Sequence, residues 1–343
     1  LMVDKQMDRL KPAIHPTYSR VLCAHLKQDG FSDADIFSGT RLAWQELLSE
    51  HRYLSLEQLS RLIRRAQQLT EEPWIGLKIG ANTPVTAHGA LGYAVVSAPD
   101  MRTLLSVVAR FVGVRLQLIQ LRFEEHDGWG QLWLHENVDL GDCREFLLGA
   151  LLGTYFQMTD AVSAGRIREA RVQLPFPRPV WAAHYERLLG CPVIFGADHF
   201  LVEMPPEQLG SPCLTADPTM HRNATRDCEH QLKQLEKGGA FSQQVSMVLL
   251  DCQGELPSLE VMAEKFAMST RSLIRKLKAE DTRYQELLDD VRSEQAAWLL
   301  TETTLPIERI AEQLGYQDTS NFSRTFRRWF QTTPLAMRKA SRV

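Results

Sequence analysis

The feature that most constrains how this 343-residue chain can fold is a repeat near its C-terminal end. Ala263-Glu264-Lys265-Phe266, followed by Leu273-Ile274-Arg275-Lys276-Leu277-Lys278, returns as Ala311-Glu312-Gln313-Leu314, followed by Phe322-Ser323-Arg324-Thr325-Phe326-Arg327. The first block recurs after 48 residues and the second after 49, so one residue is inserted between the blocks. Each unit reads as a short helix, a tight connection, and a second helix with apolar residues at i and i+4 and a basic exposed face. That is the outline of a helix-turn-helix, whose second helix enters the DNA major groove. Two copies in one chain imply one molecule gripping two successive groove faces.

In the first unit Leu259, Met262, Ala263 and Phe266 are the expected buried face, Ser269 or Thr270 the cap, and Leu273 and Leu277 the anchors of the second helix. In the second unit Ile307, Ile310, Ala311 and Leu314 repeat that face. Gly315 supplies the turn, Asp318 or Thr319 the cap, and Phe322 and Phe326 the anchors. Between the units, Tyr284 to Leu300 reads as one long helix with an apolar side formed by Leu287, Leu288, Val291, Ala296, Leu299 and Leu300. It would hold the units apart by a distance approaching one DNA turn, roughly 34 Å.

Composition alone points nowhere so specific. Apolar content of 44% with 24% charged residues is ordinary for a soluble globular chain long enough for two or three domains. The net charge of −3 does not announce a nucleic-acid partner, and from Glu255 onward 14 Lys and Arg nearly balance 13 Asp and Glu. The local pattern is sharper: Arg271, Arg275, Lys276 and Lys278 fall in one helix with no acid before Glu280. Six scattered cysteines without a C-x-x-C pair are expected to be reduced, mostly buried thiols of a cytoplasmic protein. Asp4, Lys5, Asp8 and Arg9 leave no apolar leader core, and the apolar run Phe146 to Phe156 is too short to span a bilayer. No histidine pair has metal-ligand spacing, and there is no nucleophile elbow, phosphate loop or dinucleotide fingerprint. The expectation is a non-enzyme without metal or cofactor.

The fold class expected is an α+β N-terminal domain with a small sheet, over 1–205, then a linker with a connecting helix, 206–240, then an all-α domain with two helix-turn-helix units, 241–343. Residues 13–112 read as mostly helical, with capping-box spacing in Ser55-Leu56-Glu57-Gln58 and helices over His88–Ser97 and Asp100–Val112. Strands are expected over Arg115–Glu124, Trp129–Glu136, Ala170–Leu174, Val193–Phe195 and Phe200–Met204. Helices are expected over Asp142–Ala164, Val180–Leu189 and Thr219–Lys237. Trp129 and Trp133 are candidates for a pocket wall or for core packing.

At Ile307-x-x-Ile310-Ala311-x-x-Leu314-Gly315-Tyr316, Asn321-Phe322-Ser323-Arg324-x-Phe326-Arg327-Arg328-x-Phe330, Thr333-Pro334 and Arg338, the segment from Leu256 resembles the DNA-binding domain of the AraC/XylS family of bacterial transcription regulators. Arg292-x-x-x-Ala296-x-x-Leu299-Leu300 fits that family's linker helix. Asp281 stands where many members carry glycine, and the first unit matches less closely than the second. Thr83-Pro84, His88-Gly89-Ala90-Leu91-Gly92, Pro99-Asp100 and Asp198-His199-Phe200 resemble the sensing domain of one subgroup, unlike the cupin barrel of the arabinose regulator.

The resemblance implies a regulator of promoter DNA, an activator working through RNA polymerase, with an N-terminal domain that takes a small-molecule effector and forms a homodimer. Arg275 and Arg324 hold the matching recognition-helix position, where arginine can bond guanine O6 and N7. Arg271, Thr319, Asn321 and Ser323 are further base-reading candidates. Lys276, Lys278, Arg327 and Arg328 are phosphate candidates. The alternative is a regulator controlled by protein–protein interaction or proteolysis.

Overall fold

The computed structural model describes residues 8–163, 170–252 and 256–340; the expected helix end at Ala164 and the charged residues Asp4 and Lys5 lie outside them. The chain forms two compact units that are not contiguous segments. One combines residues 13–32 with 66–237, and the other combines residues 8–12 and Asp33–Arg65 with 238–340.

The first unit contains α1 (Pro16–Gln28), the last turn of α2 (Leu56–Thr70), α3 (Ile75–Asn82), α4 (Ala90–Val96) and α5 (Met101–Phe111). There follow β1 (Ile119–His126), β2 (Trp129–Glu136), α6 (Arg144–Val162), β3 (Arg171–Leu174), α7 (Ala182–Leu189), β4 (Val193–Phe195), β5 (Phe200–Met204) and α8 (Pro218–Glu236). The five strands make one open mixed sheet in the order β1-β2-β5-β3-β4, antiparallel except for β3 beside β4. β1 begins at Ile119, four residues later than expected. Gln117 is instead bonded to the Ala13 carbonyl, and Leu116 makes an isolated bridge to Ile14, so apolar spacing there marked packing rather than a strand. Asp127 and Gly128 both have positive φ, 49° and 81°, the backbone a two-residue hairpin needs to follow the strands' twist.

The α3–α6 pair carries much of this unit's core. A Cβ on Gly76 or Gly80 would collide with the Phe146 or Ala150 carbonyl oxygen, so the glycines let the two helices approach to backbone contact. Asp100 caps α5 through the Thr103 N–H at 2.7 Å. The connecting helix α8 is not merely solvated. Its Ala224 and Cys228 are buried, and its His221 reaches the Ala94 carbonyl of α4 at 2.8 Å.

The second unit is helical: α9 (Phe241–Leu250), α10 (Leu259–Lys265), α11 (Thr270–Ala279), α12 (Tyr284–Glu302), α13 (Ile307–Gln313) and α14 (Thr319–Phe330) surround one apolar core. The expected capping box opens α2. Ser55 N–H donates to Gln58 Oε1 at 3.0 Å, and Gln58 N–H donates to Ser55 Oγ at 3.2 Å. No helix among the described residues is long and apolar enough to cross a membrane. All six cysteines are free thiols, five of them buried.

Candidate nucleic-acid interface

The two helix-turn-helix units are built alike, down to their backbone hydrogen bonds. α10 ends with Ala267 at φ 50°, where the Met268 N–H bonds the Ala263 carbonyl at 3.0 Å. α13 ends with Gly315 at φ 80°, where the Tyr316 N–H bonds the Ala311 carbonyl at 2.9 Å. Both are left-handed helix stops of the same type. The inserted residue lies in the turn that follows: Met268 alone separates Ala267 from the cap Ser269, whereas Tyr316 and Gln317 separate Gly315 from the cap Asp318. Ser269 Oγ accepts from the Ser272 N–H at 3.2 Å, and Asp318 Oδ1 accepts from the Asn321 N–H at 2.6 Å.

Counted from those caps, Arg275 and Arg324 stand at the same step of their helices. The opposite side of each helix is nailed down. Leu273 and Leu277 anchor α11, and Phe322 and Phe326 anchor α14, all four fully buried. Arg271, Arg275 and Lys278 therefore form one exposed stripe on α11, and Ser320, Arg324, Arg327 and Arg328 one on α14. Ser320, Ser323, Arg324, Arg327, Arg328 and Gln331 line a surface concavity of about 490 Å³.

Among the described residues, Arg271, Arg275, Lys278, Arg324, Arg327 and Arg328 have no carboxylate within ion-pair distance, so their charge is uncommitted. Asn321 is exposed too. Thr319 and Ser323 are half-buried, and Thr319 turns toward the anchored side of α14. Lys276 lies off the stripe, its Nζ 4.8 Å from the Phe241 ring centre. Sequence reasoning assigned no role to Ile274, which is 50% exposed one residue before Arg275. Its signal was available: an apolar residue outside the i, i+4 anchor pair of an otherwise basic helix.

Asp281, the departure from the family pattern, sits at φ 52°, with the Thr282 N–H bonded to the Leu277 carbonyl at 3.1 Å. The exit from α11 is the same left-handed stop, which aspartate tolerates better than most side chains and glycine better still.

Sequence reasoning also missed what holds these helices in place. Arg61 Nη2 donates to both carboxylate oxygens of Glu294 on α12, at 2.6 and 2.8 Å. Arg52 reaches Asp290 at 2.8 Å and Glu46 at 2.9 Å. Arg41 reaches Asp290 at 3.3 Å and the Asp289 carbonyl at 3.2 Å. Arg41 also lies over the Trp329 ring and Arg61 over the Phe330 ring, with centres 5.6 and 5.8 Å away, at the C-terminal end of α14. Glu294 is only 4% exposed. Burial pushes the Asp290 carboxyl up to about 6, against the opposing pull of Arg52 and Arg41.

Comparison with known proteins agrees with this anatomy. Residues 262–340 match a helix-turn-helix domain model, and residues 30–213 match the model of the arabinose-binding domain of AraC transcription regulators, N-terminal. The second match includes Asp33–Arg65, the segment that packs with the DNA-binding helices. The chain is 32% identical over 323 residues to the ornithine utilization regulator of Pseudomonas aeruginosa, across 94% of this chain and 95% of that one. It is 35% identical to the VirS regulator of Mycobacterium tuberculosis over 46% of each chain. The crystal structure of the regulator CdpR from Pseudomonas aeruginosa aligns with 94% of this chain and 98% of its own, at 22% identity and a TM-score of 0.47. This chain belongs to the AraC family of DNA-binding, helix-turn-helix transcription regulators.

Proposed function

We propose that this regulator is a cytoplasmic activator that binds promoter DNA through both recognition helices, recruits RNA polymerase and works as a homodimer. Its sensing unit responds to a small effector. The observation that carries the DNA-reading assignment is the matched placement of Arg275 and Arg324, equidistant from their caps, exposed and unpaired, on helices whose other side is buried. In that setting each guanidinium is free to bond a guanine edge. Arg271, Asn321 and Ser323 flank them as base contacts, with Thr319 placed to assist at the helix start. Ile274 offers an apolar contact for a thymine methyl group. Lys276, Lys278, Arg327 and Arg328 take phosphates.

An effector acts by binding the DNA-competent and incompetent arrangements with different affinity; equal affinity for both would regulate nothing. The relative that regulates ornithine utilization supports a metabolite as the signal. Genomic fragments captured by the wild-type chain and sequenced should share a motif upstream of a few operons, and the Arg275→Ala/Arg324→Ala chain should lose that motif. Equal enrichment by both chains would refute the assignment.

A further inference from the structure

We infer that Arg115 is the anchor of a carboxylate-bearing small molecule in the unit formed by residues 13–32 and 66–237. The inference rests on the proposal that this unit senses an effector, and it names the chemical class. Arg115 follows the turn Val112–Val114 and is only 8% exposed. It is fixed from three sides. Its N–H donates to the Val112 carbonyl at 2.9 Å, its carbonyl accepts from the His15 N–H at 3.0 Å, and its Nε–H donates to the His88 carbonyl at 3.1 Å. Gly89, at φ 57°, makes room for it: any Cβ there would collide with Arg115 Nη2. The His88-Gly89 pair that stood out in the sequence is thus the seat of this guanidinium.

The seat consumes one of the five guanidinium N–H donors. Among the described residues the four on Nη1 and Nη2 meet no acceptor, and no carboxylate lies within 4.0 Å. Neither Nη is among the fully buried, unpartnered side-chain atoms, so both remain open to a ligand, while the rest of this largely buried side chain is shielded from water and favours a counter-charge. The neighbours cannot supply the counter-charge. His88, 3% exposed, bonds the Tyr18 hydroxyl through Nδ1 at 3.1 Å, and its Nε2 is buried without a partner. Burial, and then the charge of Arg115, push its imidazole down to about 4, so it is neutral near pH 7. The fully buried Cys228 thiol of α8 is pushed up to about 11 by burial in spite of Arg115, so it is no thiolate either.

One uncompensated positive charge, a planar fork of donors and one free imidazole nitrogen match a single carboxylate; a phosphate dianion would leave one negative charge unanswered. α8, whose Cys228 faces this charge, is the last helix before Gly238-Gly239 and the DNA-binding helices. Ligand-dependent ordering of α8 therefore has a direct covalent route to them.

The full chain, titrated at pH 7.5 with acetate, decanoate, succinate, L-glutamate, L-ornithine and inorganic phosphate, should be stabilised by at least one of the carboxylates in a concentration-dependent way. The amide of that compound should bind at least about 30-fold more weakly, as should the carboxylate itself to Arg115→Met, from loss of a buried charged pair. Without ligand, Arg115→Met should melt no lower than the wild type, because an uncompensated charge has been removed. A merely structural arginine would lower the melting temperature. Should that variant fail to fold, Arg115→Lys, which keeps the charge and loses the fork, should fold and bind the carboxylate about tenfold more weakly. No Arg115-dependent binding across the panel, or binding of phosphate alone, would overturn the anchor. Motif-specific DNA binding measured with and without the carboxylate separates the two readings: no Arg115-dependent carboxylate binding with DNA binding intact removes the anchor alone, and Arg115-dependent carboxylate binding that leaves DNA affinity unchanged removes the sensing role beneath it.

Discussion

The second unit holds arginines in two opposite conditions. Arg271, Arg275, Arg324, Arg327 and Arg328 stand on recognition helices with no carboxylate beside them, whereas Arg41, Arg52 and Arg61 are locked onto Asp290, Glu294, Glu46 and Glu57. The first set has charge to give to a phosphate or a guanine. The second has spent its charge on Asp290 and Glu294 of α12 and on Glu46 and Glu57, and Arg41 and Arg61 also lie over Trp329 and Phe330 at the end of the helix that carries Arg324. The same side chain is thus found paired and unpaired within one unit, and the carboxylates make the difference.

That division can be broken from either side. The largest effect expected is on stability. Glu294→Ala removes the two short bonds to buried Arg61 and leaves it only Glu57 at 3.7 Å, so the second unit should lose about 3–5 kcal/mol in a denaturant melt. A fragment starting at 238 lacks Arg41, Arg52 and Arg61 altogether, so it should melt well below the same unit in the full chain. Next come the base contacts. Arg275→Ala and Arg324→Ala should each cost about 1–3 kcal/mol of discrimination in competition binding while the melting temperature stays put. Lys278→Ala should weaken binding to all sequences alike and lower the slope of log affinity against log salt by about one.

A smaller effect concerns pH. The Asp290 carboxyl stands near 6 in the folded chain against an ordinary value of 3.8, so the folded state holds the proton more tightly. Its contribution to stability is fully present below about 4 and is lost as pH rises through about 6. Asp290→Asn should flatten that part of the stability profile. The smallest effect tests the likeness of the two turns. Ala267→Gly relieves a left-handed alanine where the second unit already has glycine, and should stabilise by roughly 0.5–1 kcal/mol.

The recognition helices were legible because their pattern is local. Caps, turn residues and anchors four apart all lie within some 20 residues of sequence, and the change of offset from 48 to 49 residues puts the inserted residue between the two blocks, where the longer turn holds it. The clamp was illegible for the opposite reason. Arg61 and Glu294 are 233 residues apart, and nothing in the spacing of Arg41, Arg52 and Arg61 on a polar stretch distinguishes an ion pair from a solvated charge. The near balance of charge from Glu255 onward misled in the same way, since Asp290 and Glu294 are answered by arginines from the other end of the chain. In the sheet, Leu116 and Leu118 repeat every second residue as a strand would, yet they are buried by a bridge to Ile14 and by neighbouring packing. Period two shows which side is buried and not what buries it.

We propose that Arg275 and Arg324 read bases rather than merely add charge. The direct measurement is the affinity of the wild type, Arg275→Ala/Arg324→Ala and Arg275→Lys/Arg324→Lys for the enriched motif and for a scrambled duplex, across a salt series. Base reading predicts that both variants lose the preference for the motif, the lysine pair keeping the salt slope of the wild type, because lysine restores charge without the two-pronged guanine contact. Motif preference retained by the lysine pair would contradict it and reduce both arginines to phosphate contacts.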